Sequence, residues 1–121
     1  FFQLVKDQGK WNAIRVRLFV NPADAPQSAK DEGVCQDINY IIPLCKQIKA
    51  EEMRLMLDFH YSDTWADPAK QFIPKSWTKA GKAVLPDSVY AFTRRSLLRL
   101  KAEGVSPDLI QVGNEITFGM L

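Results

Sequence analysis

The run Asp108-Leu-Ile-Gln-Val-Gly-Asn-Glu115 narrows the folds open to this chain more than any other, because a short apolar strand leads straight into an amide and a carboxylic acid. Parallel α/β enzymes build their active sites from side chains carried at the C-terminal ends of strands. Two earlier runs repeat the design. Ile14 to Val20 ends at Asn21-Pro22, and Met53 to Phe59 carries Asp58 and His60 into Tyr61-Ser62-Asp63. Three strand ends loaded with polar groups point to catalysis.

Alternation of residue type with period two supports each strand. In the first, Ile14, Val16, Leu18 and Val20 share one face, and Arg15, Arg17 and Phe19 share the other. In the second, Leu55, Leu57 and Phe59 oppose Arg54, Met56, Asp58 and His60. In the third, Ile110 and Val112 oppose Gln111, Gly113 and Glu115. Helical patterns lie between them. Phe1 to Lys10 reads as the end of a helix stopped at Gly9, Val34 to Ala50 as a helix that Pro43 kinks, and Ser88 to Glu103 as a helix ended by Gly104. Asn21 to Gly33 reads as a polar loop, and Tyr61 to Asp87 as a loop far longer than an ordinary βα connection.

The order αβ-αβ-αβ with short turns after each helix predicts a parallel sheet of three strands with three helices. Such strands are normally apolar on both faces. Here one face turns polar near each C-terminal end, which suits the interior of a (β/α)8 TIM barrel whose upper layer is an active site. The fold class expected is therefore α/β, a partial barrel forming one segment, residues 1–121, of a catalytic domain. No Gly-rich fingerprint follows any strand, which weighs against a doubly wound nucleotide fold.

Composition sets outer limits. The 121 residues, 46% hydrophobic and 25% charged, suffice for one domain or a piece of one. No apolar run approaches the roughly 20 residues of a membrane span. The net charge of +2 carries no basic stripe of the kind nucleic acid requires. The chain opens Phe1-Phe2-Gln-Leu with no initiator Met, leader or cleavage site, so it reads as trimmed or incomplete. Cys35 and Cys45, if both stand on one helix, lie about 15 Å apart and are expected as buried thiols rather than a disulfide. Neither their spacing nor any nearby His suggests a metal, and no cofactor motif is present.

Glu115 is the leading candidate for chemistry. A carboxylate there would cap the following turn on a purely structural reading. Beside Asn114, and on the same side of the sheet as Arg15, Arg17, Asp58 and His60, it reads instead as a general acid of the kind glycoside hydrolysis needs. Arg15 and Arg17 on an inward face demand a carboxylate or substrate partner, either Asp58 or the catalytic acids they would orient. His60, the only histidine, is as well suited to a core role as to a site. Trp65 offers a flat apolar surface for a sugar ring, or else holds its loop down. Trp11 and Trp77 are expected to pack in core or loop, and Lys70, Lys75, Lys79 and Lys82 to form a solvated face.

Taken together, Asn12-Ala-Ile-Arg-Val-Arg-Leu-Phe-Val-Asn-Pro22, Leu57-Asp-Phe-His-Tyr-Ser-Asp-Thr-Trp-Ala-Asp-Pro68 and Gln111-Val-Gly-Asn-Glu-Ile-Thr117 closely resemble glycoside hydrolase family 53, the arabinogalactan endo-β-1,4-galactanases. The resemblance implies a retaining endo-hydrolase on a (β/α)8 barrel, acting on the β-1,4-galactan of type I arabinogalactan in pectin degradation. The three strands would match barrel strands two to four. Glu115 would be the acid/base and Asn114 the residue binding the 2-hydroxyl of the cleaved sugar. Arg15 would hold the nucleophile's carboxylate, and His60 would line the same subsite.

A retaining mechanism needs a second carboxylate about 5 Å from the first, which the family draws from strand seven. None of Glu32, Glu51, Glu52 or Glu103 is placed to replace it. The 121 residues alone are therefore expected to lack glycosidase turnover and, with open strand edges, to self-associate or to require the rest of a barrel. The polysaccharide is the expected partner, with neither nucleic acid nor membrane. Secretion, periplasmic or cell-surface location is an expectation of the family. The alternatives are a related barrel glycosidase acting on another β-linked glycan and a non-catalytic carbohydrate-binding fragment.

Overall fold

The computed structural model describes residues 1–121, the side chain of Ala80 excepted. Its centre is a parallel sheet in the order β1 (Ala13–Leu18), β2 (Arg54–Phe59), β3 (Leu109–Val112). The register aligns Ile14 with Leu55, Val16 with Leu57 and Leu18 with Phe59, and Leu57 with Ile110 on the far side. These residues share one face. On the opposite face Arg17, Asp58 and Gln111 stand in a row across all three strands. A parallel three-stranded sheet with helices packed on one face is the arrangement expected of a (β/α)8 barrel segment.

The described residues form four α-helices, one more than the sequence pattern predicts: α1 (Phe2–Asp7), α2 (Gln27–Asp31), α3 (Ile38–Ala50) and α4 (Leu85–Ala102). Ile41, Ile42, Cys45 and Ile48 of α3, with Leu85, Phe92 and Leu100 of α4, bury Val16, Leu18, Leu55, Leu57 and Phe59 in one core. Each fully buried Leu or Phe contributes about 1.5–3 kcal/mol. Neither α3 nor any other described helix is long and apolar enough to cross a membrane.

Helix ends differ from the sequence reading for local reasons. The carboxylate of Asp37 accepts the Tyr40 N–H at 2.7 Å, so α3 begins at Ile38 rather than Val34. Cys35 consequently lies outside the helix and is exposed. Cys45 is buried, its thiol pushed up to about 11 by that burial. Pro43 sits inside α3, which continues to Ala50. Pro86 in the first turn starts α4 at Leu85, earlier than expected, and Gly104 ends it at φ 76°.

Elsewhere the chain is more ordered than its composition suggests. The predicted polar loop after β1 contains a 3-10 turn, Pro22–Asp24, and α2. The long loop after β2 contains 3-10 turns at Lys75–Ala80 and Lys82–Val84. The left-handed residue after α1 is Lys10, not Gly9. Gly9 is needed instead for close approach, since a Cβ there would stand 2.6 Å from the Val5 carbonyl oxygen. Trp77 is buried as expected, but Trp11 is 59% exposed. Lys70, Lys75, Lys79 and Lys82 are exposed.

Candidate active site

The C-terminal ends of β2 and β3 are tied together by the peptide unit of Ala66. Its N–H donates to His60 Nδ1 at 3.0 Å, and its carbonyl accepts from Asn114 Nδ2 at 2.7 Å. Because Nδ1 is an acceptor, neutral His60 carries its proton on Nε2. That nitrogen faces Asp58 Oδ2 at 3.3 Å. The Ala66 carbonyl likewise fixes the Asn114 amide, since only its NH2 can meet a carbonyl oxygen. Asn114 Oδ1 accepts from Gln111 Nε2 at 3.0 Å, and its main-chain oxygen accepts from Gln71 Nε2 at 2.9 Å. Asn114 is 7% exposed.

Glu115 follows directly, exposed, at φ 51°. A left-handed backbone at a residue other than glycine costs on the order of 1 kcal/mol and is held here by its neighbours. Gly113, at φ 86°, makes the turn possible. A Cβ there would lie 2.8 Å from Ile116 Cγ2. The chain thus leaves β3 through a position only glycine tolerates, sends the Asn114 side chain down onto the loop after β2, and leaves Glu115 facing solvent.

Asp58 is fully buried at the floor of this arrangement. Arg15 Nε lies 3.8 Å from its Oδ2, so the carboxylate has a guanidinium as well as the His60 imidazole beside it. Neither Asp58 oxygen nor His60 Nε2 has a hydrogen-bond partner among the described residues. Arg15, expected inward and buried, is exposed here, and Arg17 is half-buried. Arg17 extends instead over the Trp65 ring, its guanidinium carbon 5.1 Å from the ring centroid. Phe19 meets the same ring edge-on at 5.3 Å. Trp65 is half-buried, and its ring is engaged by Arg17 and Phe19.

Residues that sequence reasoning passed over do much of the positioning. Asp63 accepts the N–H groups of Asn21 at 3.0 Å and Lys75 at 2.8 Å, clamping the loop after β1 to the start and the middle of the loop after β2. Burial raises its pKa above the usual carboxylate value, with the two N–H groups acting against that shift. Gln111 carried a usable signal, a polar residue on the inward face next to Asn114. Ala66 and Gln71 carried none. Glu51 and Glu103 follow the C-termini of α3 and α4, and Glu32 that of α2. No group of three potential metal ligands occurs among the described residues.

Residues 1–121 match the family model for Glycosyl hydrolase family 53. The chain is 38% identical over 118 residues to an endo-beta-1,4-galactanase of Bacillus subtilis (strain 168), covering 98% of this chain and 27% of that protein. It is 38% identical over 121 residues to an arabinogalactan endo-beta-1,4-galactanase of Cellvibrio japonicus (strain Ueda107), covering 99% of this chain and 30% of that one. The GH53 catalytic domain of Ignisphaera aggregans superposes with a TM-score of 0.86 at 31% identity, over 100% of this chain and 33% of that one. The chain therefore spans about a third or less of the length of the relatives it matches.

Proposed function

The chain belongs to glycosyl hydrolase family 53, and from that premise we propose that it is one segment of a (β/α)8 catalytic domain that cleaves β-1,4-galactan in type I arabinogalactan. The observation that carries the reading is the junction at Ala66. It fixes an imidazole tautomer and a carboxamide orientation beside an exposed glutamate, all at the C-terminal ends of adjacent parallel strands. Active sites on barrels of this kind gather at that end.

Glu115 acts as the acid/base of a retaining mechanism. Its carboxyl gives a proton to the departing glycosidic oxygen, and the resulting carboxylate then takes one from the water that releases the sugar. Asn114 keeps one Nδ2 hydrogen and one Oδ1 lone pair beyond its bonds to Ala66 and Gln111, and these meet the sugar's 2-hydroxyl. Asp58 and Arg15 form the charged floor, with His60 oriented between the loop and Asp58. The nucleophile comes from chain outside these 121 residues. Asp58 is fully buried, and Asp63 spends both oxygens on peptide N–H groups. A polymeric substrate that cannot cross a membrane places the enzyme outside the cytoplasm.

The test is release of reducing ends from β-1,4-galactan, with mannan and cellulose alongside, by the enzyme carrying this segment and by its Glu115→Gln variant. Galactan cleavage lost in the variant, by a factor of about 100 or more, is the expected result. Binding of galactan without cleavage would make this a carbohydrate-binding chain, and cleavage confined to mannan or cellulose would reassign the substrate.

A further inference from the structure

We propose that Gln111 is a positioning residue that sets preference for the sugar's 2-hydroxyl by holding the Asn114 carboxamide, an inference that rests on the role of Asn114 given above. The directions of the hydrogen bonds follow from one fixed point. The Ala66 carbonyl can only accept, so Asn114 must offer it Nδ2 at 2.7 Å. Asn114 Oδ1 is then turned toward Gln111, which must offer Nε2 at 3.0 Å. Gln111 is the side chain that restrains Oδ1, and it stands on β3 itself, in register with Asp58. A strand residue is a firmer support than a loop residue, because its own rotamer is bounded by the sheet.

The neighbouring contacts divide the work. Gln71 Nε2 reaches the main-chain oxygens of Asp67 at 3.1 Å and Asn114 at 2.9 Å, so it joins loop to strand end without touching the Asn114 side chain. Ala66 fixes which end of the amide points down. Gln111 restrains its rotation about the last side-chain bond. With Gln111 replaced by an apolar residue of similar size, the amide keeps one bond and can swing about it. Contact with a ligand hydroxyl then weakens while the backbone stays in place.

The experiment compares kcat and KM for two aryl β-1,4-galactobiosides, alike except that one lacks the 2-hydroxyl on the sugar at the cleaved bond. The proteins are the active enzyme carrying this segment and its Asn114→Ala, Gln111→Leu and Gln111→Glu variants. Gln111→Leu is expected to lower kcat/KM about 5- to 10-fold on the hydroxylated substrate and to leave the 2-deoxy substrate nearly unchanged. Gln111→Glu keeps the side-chain shape but presents an acceptor to Oδ1 at neutral pH. Its loss should shrink toward acid, where the introduced carboxyl takes a proton and can donate.

Equal slowing of both substrates in Gln111→Leu, with a selective loss in Asn114→Ala, would overturn the role of Gln111 alone. Equal slowing of both substrates in Asn114→Ala would overturn the reading of Asn114 and the present inference with it. Absence of acid-side recovery in Gln111→Glu would also count against Gln111, because a residue that merely fills space gives no such profile.

Discussion

Asp58 and Asp63 lie on either side of His60 in sequence and are both buried, yet they are held in opposite ways. Asp63 accepts two peptide N–H groups, from Asn21 and Lys75, and so fastens loops to one another. Asp58 has no hydrogen-bond partner among the described residues, only the Arg15 guanidinium at 3.8 Å and the His60 imidazole at 3.3 Å beside it. A buried carboxylate bonded to backbone is a structural part, because the groups it satisfies would otherwise be orphaned. One with a single guanidinium and an imidazole beside it, and no hydrogen bond, is poorly compensated for its desolvation, a situation commoner at functional sites than in scaffolds. The two aspartates thus differ in how their desolvation is met, one by backbone N–H groups and the other by neighbouring side chains.

That contrast breaks most visibly at Asp63. Asp63→Ala leaves the Asn21 and Lys75 N–H groups without an acceptor, and we expect a loss of about 2 to 4 kcal/mol, read as a fall in the urea midpoint with unchanged slope. An unchanged midpoint would show that the loops do not depend on this clamp. Asp58→Asn should behave differently. It removes a buried charge without removing any hydrogen bond, so stability moves by only about 1 kcal/mol or less in either direction. In the enzyme carrying this segment, turnover of the proposed galactan substrate should nonetheless fall about 10- to 100-fold as Arg15 and His60 lose the charge they face. Parallel losses of stability and turnover in Asp58→Asn would erase the distinction between the two residues.

What the sequence revealed, and what it hid, follows the range of the forces involved. The alternation in Leu55, Leu57 and Phe59 against Met56 and Asp58 is a local property of a pleated chain, and all three strands follow it with their inward faces as predicted. The helix end at Gly104 is local as well. The start of α3 was legible in Asp37, whose carboxylate caps Tyr40, but the apolar Val34 just before it extended the helical pattern and drew Cys35 into a helix it does not join. The site was legible only as a list. That Glu115, Asn114, His60 and Asp58 share one end of the sheet follows from strand direction. The contacts among Ala66, His60, Gln111 and Asn114 join a loop to two strand ends, and no periodicity encodes them. β3 adds a further case. Its Ile110 and Val112 occupy the face that α3 and α4 cover on β2, yet they are 44% and 54% exposed. An apolar pattern states that a face is to be covered, not by which residues.

Asp108 supplies the smallest and sharpest extension of the comparison, because it is a clamp at the opposite end of the sheet and shifts the other way. Its carboxylate accepts the Leu55 N–H at 2.7 Å and the Lys49 ammonium at 2.9 Å, joining the start of β3 to β2 and α3. These partners, the Leu55 N–H foremost, hold its pKa below the usual carboxylate value, whereas burial raises that of Asp63. The signs are opposite in their consequences for stability. A folded-state pKa below the unfolded value of 3.8 means that the unfolded chain binds the proton more readily. The contribution of Asp108 is therefore present above that value and disappears as pH falls through the folded pKa. For Asp63 the folded state holds the proton more tightly, so its linkage term favours folding below 3.8 and is lost as pH rises through the folded value. Asp108→Asn should accordingly destabilise the protein at neutral pH, with the gap from the parent narrowing as pH drops below about 4. Urea midpoints taken between neutrality and pH 3 measure this directly. A gap that stays constant across that range would mean that the bonds to Leu55 and Lys49 do not depend on the charge of Asp108.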